Sequence, residues 1–225
     1  YLRQDGHHKL FLNRLFPVPQ VDCQPVWFSD TDDFVRILSD HVDGTQAIGI
    51  DKNWPARFLL ALMEHHREIP YIMSSCCVDD VRACKDMEER QLMRRASQIN
   101  DAVMERVATF IQEGMTEREI SDYIVAQYTN EGCEKMAFPP IVSFGAHAAD
   151  PHHVADETKL KAGDCIVVDM GCRKDRYCSD MTRTFFCGQP DPRYAAIHDL
   201  VREANELAEA LVRPGVPLRE LDRAA

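Results

Sequence analysis

Two aspartates carry the clearest chemical signal in this 225-residue chain. Asp169 and Asp180 both lie in the stretch Asp164–Gly188, whose residue pattern reads as a β-hairpin. A turn centred on Lys174 and Asp175 sets Asp169 directly opposite Asp180. Facing side chains on paired strands have Cβ atoms about 4.5–5.5 Å apart, and like charges so placed destabilise a sheet. Two divalent ions bridged by the carboxylates would remove that conflict and activate a water for hydrolysis at the same time. The spacing leaves a second reading open, in which Arg173, Arg176 or Arg183 pairs with one of the acids in an ordinary structural ion pair. Lys-Asp also lacks the glycine that a two-residue loop favours.

Other polar residues gather near these acids. His152 and His153 are adjacent, and neighbours on an extended segment point to opposite faces, so one of the two lines a cleft and the other is structural. Thr182 and Thr184 alternate with Asp180 along one strand face, where their hydroxyls can support metal-binding carboxylates. Strand propensity accounts for both threonines equally well. Cys165, Cys172, Cys178 and Cys187 flank the acids with no positioned base in view and read as small buried hydrophobes. His7, His8, His65 and His66 suit surface or core roles.

The elements that must hold these residues follow from periodicity. Residues 1 to about 73 alternate between short strands and helices: apolar Lys9–Phe16, a turn at 17–19, a helical period through Phe34, Val35 and Leu38, a strand at Ala47–Ile50, a helix at Trp54–His66 and a strand at Tyr71–Met73. That order fits a small α/β layer domain over 1–74. After a linker at 75–85, Asp86 and Glu89 form a capping box for a long helix that ends at Gly114. Thr116 and Glu119 form a second box, opening a helix that stops at Gly132. Strands at Ala137–Phe144, Cys165–Met170 and Cys178–Cys187 then precede a helix over about 192–212, within a second domain at 86–225.

Composition narrows the function. A net charge of −11 leaves no basic surface for neutralising phosphates, so nucleic acid is not an expected partner. The longest apolar run, Phe58–Met63, is far too short to span a bilayer, and no membrane partner is expected. Nine unevenly spaced cysteines, without a CxxC pair, read as reduced thiols in a cytoplasmic protein.

Three ordered motifs carry a resemblance. FPPIVSFGAHAADPHH from Phe138 to His153, KAGDCIVVDMG from Lys161 to Gly171 and YCSDMTRTFFCG from Tyr177 to Gly188 resemble the catalytic core of the pita-bread metallopeptidases, in the branch of aminopeptidase P, prolidase and creatinase. The helix from Val81 to Met104 resembles that branch's opening helix, and residues 1–74 resemble the later part of its creatinase-type amino-terminal domain. The fold implied is an α/β creatinase-like domain followed by the first half of an α+β pita-bread catalytic domain. Asp169 matches the first metal-ligating aspartate, Asp180 the bridging one, and His152 the histidine that contacts substrate, with Thr182 and His153 as supporting or substrate residues. His147 stands where many relatives carry a small polar residue, and Arg176 where a glycine often precedes the tyrosine.

The activity implied is hydrolysis of the bond before proline in short peptides by two divalent ions. Manganese is the first expectation, with cobalt, iron and zinc as alternatives, and the full-length protein is expected to be a homodimer. Family ligands still to come, a histidine and two glutamates, lie beyond the sequence given, which is expected to be a piece truncated at both ends and inactive alone. Creatinase-like amidinohydrolases and metal-free binding modules share the fold, but they lack the metal acids that Asp169 and Asp180 match.

Overall fold

The computed structural model describes residues 1–16, 18 and 21–225; two residues of the expected turn, Pro17 and Pro19, fall outside them. The chain divides into two compact units, Tyr1–Lys85 and Asp86–Ala225.

In the first unit, strands β1 (Lys9–Asn13) and β2 (Gln24–Phe28) pair in parallel. Helix α1 (Phe34–Ser39) follows, capped by the Asp33 carboxylate. Strand β3 (Ile48–Ile50), helix α2 (Ala56–His65) and strand β4 (Tyr71–Met73) form a parallel βαβ unit, as the α/β reading requires. Val35, Leu38 and Leu62 are its buried centre, ringed by Phe11, Phe34, Phe58 and Trp54. Two elements differ from the sequence reading. Strand β2 begins with Gln-Pro, a weak strand signal, and residues 75–85, read as a linker, carry helix α3 (Cys76–Ala83) within the first unit.

The second unit opens with helix α4 (Met87–Phe110), whose Asp86–Glu89 box is closed in both directions at 2.8 Å. The helix stops before Gly114 because Ile111 turns extended, with φ −60° and ψ 125°. Helix α5 (Glu117–Asn130) starts at the Thr116–Glu119 box. Strands β5 (Lys135–Met136) and β6 (Ile141–Phe144) flank Pro139 and Pro140, which cannot donate to a ladder and so break the single strand expected there. A 3-10 turn covers Gly145–Ala149. Strands β7 (Cys165–Met170), β8 (Cys172–Lys174), β9 (Tyr177–Cys178) and β10 (Met181–Phe186) lead to helices α6 (Pro192–Ala210) and α7 (Leu218–Ala224).

Strand β7 is central in an antiparallel sheet of order β10-β7-β6, while β5-β8-β9 form a smaller sheet. On β7 the buried residues Ile166, Val168 and Met170 alternate with half-buried Cys165, Val167 and Asp169. The first set faces a core shared with Val103 and Val107 of α4 and Ile120, Ile124 and Tyr128 of α5. Asp169 therefore belongs to the face turned away from that core.

The hairpin register needs correction. The tip residues are Asp175 and Arg176, at φ 49° and 69°, the left-handed pair that a type I′ loop demands. Pairing runs Lys174 with Tyr177, Arg173 with Cys178 and Asp169 with Thr182, so the residue facing Asp169 is Thr182 and not Asp180. The partner is displaced by two positions, and an even slip keeps side chains on their original faces. The strand from Cys178 is also interrupted at Ser179–Asp180, where the chain passes from the small sheet to the large one. Gly171 allows the crossing, because a Cβ there would lie 2.1 Å from the Ser179 carbonyl oxygen.

Candidate metal centre

Asp169 is the fifth residue of β7, directly beside that sheet crossing. Its Oδ1 is buried and has no hydrogen-bond partner among the described residues. Burial is the main force raising its pKa above the ordinary carboxylate range; the Thr182 hydroxyl opposes the shift and the Asp180 charge adds to it. Repulsion between the two acids is thus secondary to loss of water. A buried acceptor left without a donor carries a cost of about 1–3 kcal/mol, which an added cation would relieve.

Asp180 is exposed and follows Ser179, whose buried hydroxyl accepts from the Cys172 amide at 3.1 Å. The hairpin that carries these residues is tied to α4 at both its tip and its flank. Tyr177 donates its hydroxyl to Glu89 at 2.7 Å, the same glutamate that closes the α4 capping box, and Arg95 pairs with Asp175 at 3.5 Å. Next to Asp169, the Met170 carbonyl accepts from the buried Asn100 amide at 3.4 Å, and Asn100 accepts in turn from the Tyr128 hydroxyl. Half-buried Asp169 and exposed Asp180 thus stand on a frame fixed by two helices. Thr184, the other threonine of the sequence reading, pairs with Val167 further along β10.

His152 lies on the loop after the 3-10 turn, exposed, with its amide donated to the Asp150 carboxylate at 2.9 Å. Strand β6 meets Asp169 at Ile141 and releases this loop from its other end, Phe144, about 10 Å away along the strand. Among the described residues no hydrogen bond joins the His152 side chain to either aspartate. His153 points elsewhere, donating Nε2 to Glu117 at 2.7 Å.

Glu117 itself escapes sequence reasoning. It is the first residue of α5, sits between the two capping-box residues, and is fully buried. A glutamate in a first helical turn normally signals compensation of the helix dipole in solvent. The departure at His147 is the one sequence clue, since its Nδ1 contacts the same carboxylate at 2.9 Å. That contact is the largest cause holding the His147 pKa above its ordinary value.

The chain belongs to metallopeptidase family M24, whose model matches residues 91–225. It is 34% identical over 148 residues to an uncharacterised peptidase of Staphylococcus aureus (strain bovine RF122 / ET3-1), a match covering 66% of this chain and 42% of the relative. Among solved structures it is similar to a prolidase from Thermococcus sibiricus (29% identity, TM-score 0.83, 91% of this chain and 57% of that one). A dipeptidase from Pyrococcus horikoshii OT3 gives 32% identity and a TM-score of 0.82 over 90% of this chain and 58% of that one. An X-Pro aminopeptidase from Thermotoga maritima gives 27% identity and 0.74 over 91% and 59%. The chain thus spans less than two thirds of the length of each. The pita-bread fold and membership of a dinuclear metal-dependent peptidase family are thereby established. No helix among the described residues is long and apolar enough to cross a membrane.

Proposed function

We propose that this chain supplies part of the active centre of an Xaa-Pro metallopeptidase, with Asp169 and Asp180 as metal ligands. The observation that carries the reading is the buried, unpartnered Oδ1 of Asp169 beside a second acid. It fits a cation, because no donor among the described residues competes for that oxygen. The specificity for proline rests on the relatives described as prolidase and X-Pro aminopeptidase.

A bound pair of divalent ions supplies a water deprotonated near neutral pH. The chain's own residues do the rest. Asp169 is held rigid by β7, Asp180 projects from the break between β9 and β10, and the Thr182 hydroxyl orients Asp169 from the facing strand. His152 donates to the oxyanion that develops on the scissile carbonyl. A donor set of carboxylates suits manganese first. The nine cysteines, all free, suit a reducing cytoplasm. The assembly that fits this reading is a homodimer of a longer chain.

The test is hydrolysis of Gly-Pro and of longer Xaa-Pro peptides by the manganese-loaded protein at the length of its relatives. Asp180→Ala and Asp169→Asn should each abolish turnover and lower the bound metal. Full activity in Asp180→Ala, or a metal-loaded wild type that leaves every proline peptide intact, would sink the proposal.

A further inference from the structure

The loop that carries His152 is organised around one carboxylate that the chemistry above leaves unused. Glu117 accepts four hydrogen bonds. Its Oε1 takes the Phe144 amide at 2.9 Å and His147 Nδ1 at 2.9 Å; its Oε2 takes His153 Nε2 at 2.7 Å and the Asp156 amide at 3.2 Å. These donors come from the start, the first turn, the middle and the end of the loop Phe144–Asp156. Two oxygens offer about four lone-pair sites, so the carboxylate is saturated.

Its charge is supported where it lies. Glu117 opens α5, where the dipole of the helix favours an anion. The far end of the loop is fastened to the same helix start by backbone bonds. The Glu117 amide donates to Thr158 at 3.2 Å, the Arg118 amide to Asp156 at 3.0 Å, and Leu160 exchanges bonds of 2.9 Å with Met115 and Gly114. The imidazoles of His147 and His153 lie with centroids 4.1 Å apart, one against the other over the carboxylate. Because His153 is drawn inward to Glu117, its neighbour His152 is left exposed.

Building on the role of His152 proposed above, we infer that Glu117 is a positioning residue that holds the Phe144–Asp156 loop in one conformation and so fixes where His152 stands. Asp156 completes a group with Glu117, His147 and His153 whose ligand atoms lie within 4.8 Å of one another, a set that could be taken for a metal site. Two of the four donors on Glu117 are backbone amides that cannot turn away, and the contacts of 2.7–2.9 Å to the histidines are hydrogen bonds. The cluster is therefore complete without an ion.

Hydrogen–deuterium exchange on the 225-residue chain tests this directly. Glu117→Gln keeps the size but turns an amide donor toward amide and imidazole donors. Exchange over 144–156 should rise about tenfold or more, with peptides from α4 and β7 unchanged. His147→Ala, at a half-exposed position whose loss cannot empty the core, should raise exchange in the same segment by less, and it decides the matter if Glu117→Gln unfolds the unit. In the longer enzyme, Glu117→Gln should cut kcat on Gly-Pro by about tenfold or more while KM moves less than about twofold. Combined with His152→Ala it should add nothing, because both act through one imidazole. Unchanged exchange over 144–156 in both variants, additive kinetic losses, or one tightly held zinc ion released by His147→Ala would each overturn the inference. A wild-type enzyme that ignores proline peptides would instead refute the peptidase reading, and exchange alone would then decide whether Glu117 holds the loop.

Discussion

A carboxylate oxygen buried without a donor is a cost that the fold bears for some other reason, and Asp169 Oδ1 is such an atom. Replacing it by Asn removes the charge that burial penalises, so Asp169→Asn should stabilise the metal-free chain by about 1 kcal/mol, seen as a higher melting temperature in EDTA. Manganese should raise the melting temperature of the longer wild-type protein and leave that of the variant unmoved. His147 makes the opposite case. The Glu117 bond raises its pKa first, burial opposes, and the charges of Glu117, Asp156 and Asp150 add, with the His153 ring against its face. A histidine raised above its ordinary 6.5 contributes stability that is fully present below that value and is lost as pH rises through the higher folded value. His147→Ala should therefore destabilise the protein more at about pH 5 than at about pH 9, as denaturant titrations at the two pH values would report. Equal losses at both would mean that the imidazole is not charged in the fold. At this scale the sequence made Asp169 and Asp180 visible because two acids fall close together in one largely apolar hairpin segment. It could not make Glu117 visible, because burial of a first-turn glutamate depends on a loop some thirty residues away.

Among the elements, those with a strong local cause were legible. Both capping boxes, at Asp86 with Glu89 and at Thr116 with Glu119, form as read, since each is decided by residues three apart. Strand β7 runs over Cys165–Met170 as the pattern indicated. The hairpin register was not legible, because it is fixed by which two residues accept positive φ, and Asp175-Arg176 carries no glycine to mark them. Tertiary contacts force the choice: Tyr177 must reach Glu89 and Asp175 must reach Arg95. A non-glycine residue in the left-handed region costs about 1 kcal/mol, so Arg176→Gly should stabilise the chain by about that amount without moving Asp180. Chemical denaturation measures the gain, and no gain would mean that the tip is relaxed as it stands. The Asn100 bridge behaves conversely. Asn100→Ala strands both the Tyr128 hydroxyl and the Met170 carbonyl in the core, and should cost about 2–3 kcal/mol in the same assay.

At the scale of the whole molecule, apolar surface is distributed unevenly. The second unit buries a continuous cluster from α4, α5, β6 and β7, whereas α6 buries none of its residues. Along α6, Tyr194, Ile197, Leu200, Val201 and Leu207 are all exposed, and Ile197, Leu200, Val201 and Leu207 follow helical spacing. Their polar neighbours already pair among themselves, as Arg202 does with Asp199 and Glu206, so no charge interrupts the apolar stripe. A contiguous apolar patch in water is adhesive, and each leucine or valine removed from water contributes about 1.5–3 kcal/mol. The 225-residue chain by itself should therefore associate with copies of itself at micromolar concentration through α6. Sedimentation velocity should show a concentration-dependent shift to larger species, and Leu200→Glu with Val201→Lys should return the chain to monomer with its melting temperature unchanged, because both side chains are already in solvent. A wild-type chain that stays monomeric across that range would show that the stripe is too narrow or too interrupted to bind a second copy. An associated state that survives the double substitution would place the contact elsewhere, with exposed Ile72 and Met73 of β4 the next surface to alter.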